Sequence, residues 1–201
     1  MAKEEVKKFK TPEFRVSFPK VFKAEAFKEG DTPKFSITML FDAKAQASDA
    51  FKILKGESKK AFIEKHGAAA WEGPKDWFGW PVGYHNPFKK PDADMVEKYD
   101  GYDADTIYTR ASTQYAIPVV DEHVQKIIEE TKFYAGCYAW AYVQINAYKN
   151  GANKGVSFYL QAVQKIRDGE AFSSRARAED LFESVAPASE EASASGDDYD
   201  F

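Results

Sequence analysis

Residues 136–148, GCYAWAYVQINAY, sort into two unlike sets when read with the period of two that a β-strand imposes. One set is small and apolar: Cys137, Ala139, Ala141, Val143, Ile145 and Ala147. The other is Tyr138, Trp140, Tyr142, Gln144, Asn146 and Tyr148, a row of rings with polar tips. The first set suits a core. The second is either the outer surface of an amphipathic sheet or a platform on which flat ligands stack.

The rest of the chain supplies partners for this strand. Pro12–Phe22 alternates Phe14, Val16 and Phe18 against Arg15 and Ser17, a first strand that Pro19 should end or bend. After a charged turn at 29–31, Lys34–Asp42 places Phe35, Ile37, Met39 and Phe41 on one face and Ser36, Thr38 and Leu40 on the other. Thr106–Tyr115 sets Ile107, Thr109, Ala111 and Thr113 against Tyr108, Arg110, Ser112 and Gln114. Beyond the Gly- and Asn-rich turn at 149–155, Val156, Phe158, Leu160 and Ala162 point inward, with Ser157, Tyr159, Gln161 and Lys165 outward.

Between these strands the period changes. Ala47, Phe51, Leu54, Ala61 and Phe62 are spaced for one face of a helix over 47–66 that Gly67 stops, with Lys52, Lys55, Lys59 and Lys60 on its surface. Asp121 is placed to cap a short helix whose Val124, Ile127 and Ile128 face inward. The expectation is a mainly β or α+β fold, a five-stranded antiparallel barrel of the OB type with a helix and loop insertion at about 43–105. One domain spans residues 1–172, and residues 173–201 form a separate acidic tail.

The net charge of −4 hides an asymmetry. Residues 1–177 hold 28 basic and 24 acidic side chains, whereas the chain beyond Arg177 holds eight acids and no base. That tail is poor in apolar residues and rich in Ala and Ser, a composition that stays disordered because little burial offsets its ordering entropy. Cys137, the single cysteine, makes no disulfide, and no run approaches the roughly 18 apolar residues of a membrane helix, so a cytoplasmic protein is expected.

Residues 71–91 carry Trp71, Trp77, Phe78, Trp80, Tyr84 and Phe88 among glycines and prolines. This loop either covers a satellite hydrophobic cluster or turns one or two rings, helped by Lys75, Lys89 and Lys90, toward a ligand. The acids of 92–105 lack calcium-loop spacing, and three scattered histidines with one cysteine give no zinc constellation. No metal or cofactor is called for. A metal-dependent nuclease would need a base, nucleophile or ligand set that the chain does not present. The aromatic faces fit two other classes: a protein-interaction module, or a binder of nucleic acid in which rings take bases and cations take phosphates.

The run YAGCYAWAYVQINAYKNGANKGVSFYLQAVQKIRDGEAF, followed by RARAEDLF and a tail ending DDYDF, resembles single-stranded DNA-binding proteins of enterobacterial phages. PEFRVSFPKVF and YTRASTQY are similar to that family too. The resemblance implies a non-catalytic OB-fold protein that coats single-stranded DNA in phage replication and recombination, acting in the host cytoplasm. It also implies that Asp197, Asp198, Tyr199, Asp200 and Phe201 bind replication or recombination proteins. Oligomers are compatible with it.

Face alternation supplies the candidate DNA contacts. From the strands come Arg15, Tyr108, Arg110, Tyr138, Trp140 and Tyr142, together with Tyr148, Tyr159 and Lys165; from the loop come Trp77 and Trp80.

Overall fold

A computed structural model describes residues 8–172. The acidic segment 173–201, with the candidate partner-binding residues Asp197–Phe201, lies outside the described residues. Among the described residues, seven strands, four α-helices and a 3-10 turn occur in the order β1 (Lys8–Lys10), β2 (Phe14–Glu25), β3 (Lys34–Phe41), α1 (Ala43–Ala47), α2 (Asp49–His66), α3 (Ala68–Glu72), α4 (Ala93–Lys98), β4 (Ile107–Thr113), β5 (Val119–Val120), the 3-10 turn Glu130–Lys132, β6 (Tyr138–Asn150) and β7 (Asn153–Arg167).

The strands make one sheet in the order β1-β6-β2-β3-β4-β7-β5, and a further pairing of β6 with β7 closes it into a ring. The ring is five strands, β6-β2-β3-β4-β7, to which the short β1 and β5 add at its margins. Most pairs are antiparallel, but β4 runs parallel to β7, with Ala111 opposite Phe158 and Ser112 opposite Tyr159. The fold is mostly β with a few helices, an OB-like barrel.

Alternation explains the core. Val16, Ile37, Met39, Ala111, Ala141 and Leu160 are among the buried inward residues. Cys137 is buried with them, and burial pushes its thiol up to about 11, so it fills space as a neutral group. Helix α2 starts at Ser48, whose hydroxyl accepts from the Phe51 N–H at 3.2 Å, and ends at Gly67. Its Phe51 and Leu54 join the barrel core, and edge-to-face or tilted rings run Phe41–Phe51–Phe88–Phe158 at centroid distances of 5.2, 5.4 and 5.7 Å.

Local irregularities overturn several of the face and helix expectations, while the strand bends at Pro19 as expected. Strand β2 continues past Pro19, but its register shifts between Ser17 and Lys20, and Phe18 adopts a positive φ of 43°. Ser17 therefore turns inward and Phe18 outward, the reverse of the simple alternation. A second irregularity between Tyr142 and Val143 makes Val143 face Leu160, so Val163 replaces Ala162 in the core. Lys165 consequently lies opposite core-facing Ala139, not on the outer face with Trp140. Residues 121–129 form no helix: both the His123 and Gln125 N–H groups donate to one Asp121 oxygen, at 2.9 and 2.8 Å. Of the three side chains expected inward there, Ile127 is buried, whereas Val124 and Ile128 are exposed.

The tryptophan loop is organised by Asp76, whose Oδ1 accepts from the N–H groups of Phe78 and Trp80 and whose Oδ2 accepts from Asn86. This pulls Trp80 to 1% exposure in a cluster with Phe62, Val156 and Trp71.

Candidate nucleic-acid interface

A cleft of about 1050 Å³ crosses the outer face of the barrel over β3, β4, β7 and the distal half of β6. Its floor is polar and small: Ser36 and Thr38 from β3, Ser112 from β4, Ser157 from β7 and Asn146 from β6. The pairings Ser36 to Ser112, Ser112 to Tyr159 and Ser157 to Asn146 bring these positions side by side. Rings rise from one wall in sequence, Phe18 against Tyr99, Tyr99 against Tyr102 and Tyr102 against Tyr108, at 5.2, 6.1 and 5.8 Å. Tyr148 and Tyr159 also line the cleft, and Tyr159 is 43% exposed.

Every charged side chain lining the cleft is a cation: Lys20, Lys34, Lys65, Lys89, Arg110 and Lys149. Arg110 is held in place, donating to Ser36 Oγ at 3.1 Å with its guanidinium 5.0 Å from the Phe27 ring. The Tyr102 hydroxyl shares a 3.1 Å hydrogen bond with Ser17 Oγ. Burial raises the pKa of Tyr102 and Tyr108, so both stay neutral hydroxyls. The arrangement offers several aromatic rings, tilted or edge-on to one another, with positive charge around them, which suits bases on an anionic backbone.

The cleft's rim depends on a close crossing at Gly155. His85 N–H donates to Lys154 O at 2.8 Å and Val156 N–H to His85 O at 3.2 Å, so a Cβ on Gly155 would run into the His85 backbone. Gly155 also has a φ of 148°, a conformation that L side chains rarely adopt.

Tyr108, Arg110, Tyr148 and Tyr159, all candidates by alternation, line the cleft together. The others fall elsewhere. Arg15, Tyr138 and Trp140 lie at the opposite end of β6, where the protein's own cations cover the rings. Arg167 stands 3.4 Å from the Tyr138 ring centroid and Lys10 3.4 Å from that of Trp140. Arg15 donates to the carbonyls of Gly136 and Glu170 at 3.2 and 2.9 Å. Tyr142 is 47% exposed but outside the cleft, and Trp77, at 54%, sits on the loop. Lys165, only 13% exposed at its side chain, pairs with Asp168 at 2.8 Å. Trp80 is corrected from contact to core, since a ring at 1% exposure offers no face to a base.

Alternation misses Phe18, Phe27, Lys20 and Lys34, along with Tyr99 and Tyr102. The Phe18–Pro19 pair was a sequence sign that the alternation would break there. Tyr99 and Tyr102 stand among the aspartates of 92–105, where charge conceals them; Asp92 itself caps α4 by accepting from the Met95 N–H at 2.8 Å.

A family model described as Enterobacter phage Enc34, ssDNA-binding protein, matches residues 7–194. The chain belongs to this family of phage single-stranded DNA-binding proteins. A relative, protein p50 of Acyrthosiphon pisum secondary endosymbiont phage 1, is 30% identical over 166 residues, 82% of this chain and 86% of that protein. The single-stranded DNA-binding protein of bacteriophage Enc34, solved in complex with ssDNA, superposes with a TM-score of 0.66 at 20% identity, over 83% of this chain and 89% of that one. The family fold extends to gp2.5, a single-stranded DNA-binding protein of bacteriophage T7, with a TM-score of 0.56 at 15% identity over 97% and 100% of the two chains.

Proposed function

We propose that this protein coats single-stranded DNA without catalysis and without reading its sequence, in phage replication or recombination. Bases stack on the rings of the cleft, and phosphates meet its lysines and Arg110. The observation that carries this reading is the composition of the cleft: Tyr and Phe rings with six cations, of which Lys20 alone, among the described residues, is paired with a carboxylate, that of Glu25, and no carboxylate among the lining residues. Stacking contributes about 1–3 kcal/mol per base whatever the base, so two or three rings give useful affinity without specificity.

The acidic tail acts in this reading as a tethered competitor for the cleft and as the segment that recruits partner proteins. Its starting point supports that role. The Phe172 ring lies against Gly101, where φ is +81° and any Cβ would overlap it, and the Arg15 guanidinium lies 4.4 Å from the centroid of the same ring. Gly101 follows Tyr99 and precedes Tyr102 of the cleft wall, so Phe172, the last described residue, packs between that wall and Arg15 at the other end of β6.

Titrating labelled oligo-dT, duplex DNA and RNA at two salt concentrations tests the reading. Single strands bind tightest, with affinity falling linearly in log salt. Equal affinity for duplex and single strand, or no binding to either, overturns it.

A further inference from the structure

A second basic and aromatic surface lies apart from the cleft and shares no lining residue with it. Lys52, Lys55 and Lys59 follow one face of α2 and border a groove of about 270 Å³ whose other side is Trp71, Phe78 and Gly79. The ammonium groups here sit over rings: Lys55 is 4.0 Å from the Phe78 centroid, and Lys59 and Lys75 are 5.0 and 4.2 Å from that of Trp71. Lys55, Lys59 and Lys75 form no salt bridge among the described residues. A ring face leaves the ammonium's hydrogen-bond donors free, so each of these lysines can still bind an anionic oxygen.

Gly56 points to an occupant. Glycine inside a helix costs about 1 kcal/mol relative to alanine, yet nothing lies within 4 Å of where its Cβ would be. Packing gives no reason for the missing side chain, which leaves the groove open between Lys55 and Lys59. The route from the cleft is also short. Lys89 is bridged to Tyr108 and lines the cleft, while its neighbour Lys90 reaches over the exposed Trp77 ring, 5.9 Å away. Cations thus continue from Lys89 to Lys90 beside Trp77, whose ring lies 5.2 Å from that of Phe78 on the groove's far side.

We infer that this groove is an auxiliary tract for single-stranded nucleic acid, in which Lys55, Lys59 and Lys75 take phosphates of the strand after it leaves the cleft. The inference rests on the cleft reading. Its tract is electrostatic, with Trp77 as the one exposed ring positioned for a base.

The test compares the full chain with its Lys55→Gln/Lys59→Gln/Lys75→Gln variant on dT oligomers of about 5 and about 20 nucleotides, lengths at the lower end of and beyond the ~4–16 nucleotides one OB-fold occupies. The short oligomer binds both proteins equally. On the long one, the variant's slope of log K against log salt falls by about 2, from about 0.7 per lost phosphate contact. Gly56→Leu, which fills the groove and leaves the charge unchanged, weakens only the long oligomer. Equal slopes and affinities on the long oligomer overturn the tract and leave the cleft standing. Failure of the short oligomer to bind wild type overturns the cleft reading and this one with it. If a peptide of residues 197–201 binds wild type but not the triple variant, while the long-oligomer slopes agree, the groove is a peptide dock and the inference is wrong.

Discussion

Arg110 and Tyr159 illustrate how one residue's surroundings decide its contribution. Arg110 is pinned by Ser36 and Phe27, so its charge is presented to the cleft at little further entropic cost. Arg110→Ala is expected to weaken binding evenly across oligonucleotide sequences and to lower the salt slope by about 0.7, the share of one phosphate on a single strand. Tyr159→Ala removes a ring worth about 1–3 kcal/mol, a loss of roughly 5- to 150-fold in affinity with the salt slope retained. Anisotropy titrations over a salt series separate the two effects; a Tyr159 variant with wild-type affinity would remove that ring from the stacking track. The two loop tryptophans divide differently. Trp80→Ala should cost about 3–5 kcal/mol of stability, measured by denaturant unfolding, because it empties a buried site. Trp77→Ala, at an exposed ring, should leave the unfolding midpoint nearly unchanged.

At the scale of the element, strand regularity governs what the sequence discloses. In β4 the alternation runs unbroken from Ile107 to Thr113, so Tyr108 and Arg110 could be placed on the outer face from spacing alone. In β2 and β7 a single irregularity reverses the faces beyond it, which hid Phe18 and misplaced Lys165. The tryptophan loop carries no period at all. Its geometry comes from one carboxylate, Asp76, closing three hydrogen bonds, and no spacing rule anticipates that Trp80 would be drawn under while Trp77 stays out. The crossing at Gly155 gives an element-scale prediction. Gly155→Ala places a methyl into the His85 backbone and strains a positive φ, so it should destabilise by more than about 1 kcal/mol. Because His85 and Pro87 line the cleft, single-strand affinity should fall in the same variant although no ligand contact is deleted. Wild-type affinity with lowered stability would show that the rim does not shape the site.

For the whole molecule, charge is partitioned along the chain. Deleting residues 179–201 removes eight acids and no base, changing the formal net charge from −4 to +4. If the tail competes for the cleft, the truncated protein binds single strands more tightly at low salt, and the gap narrows as salt screens both contacts. Unchanged affinity at low salt would count against competition and leave partner recruitment as the tail's role.

The parallel contact of β4 with β7 also bears on how the chain reaches this fold. Closure joins residue 111 to 158 and residue 139 to 165, so the ring is completed by its last strand. Until residues 153–167 are available, β4 and β6 each keep an unpaired edge, the kind of surface on which strands of other chains add. Non-local pairing of this sort places barrels among the slower-folding small domains, at milliseconds to seconds. Folding is therefore a late, all-or-none commitment. A chain interrupted before β7 would be a candidate for aggregation and proteolysis, with no smaller working barrel to fall back on.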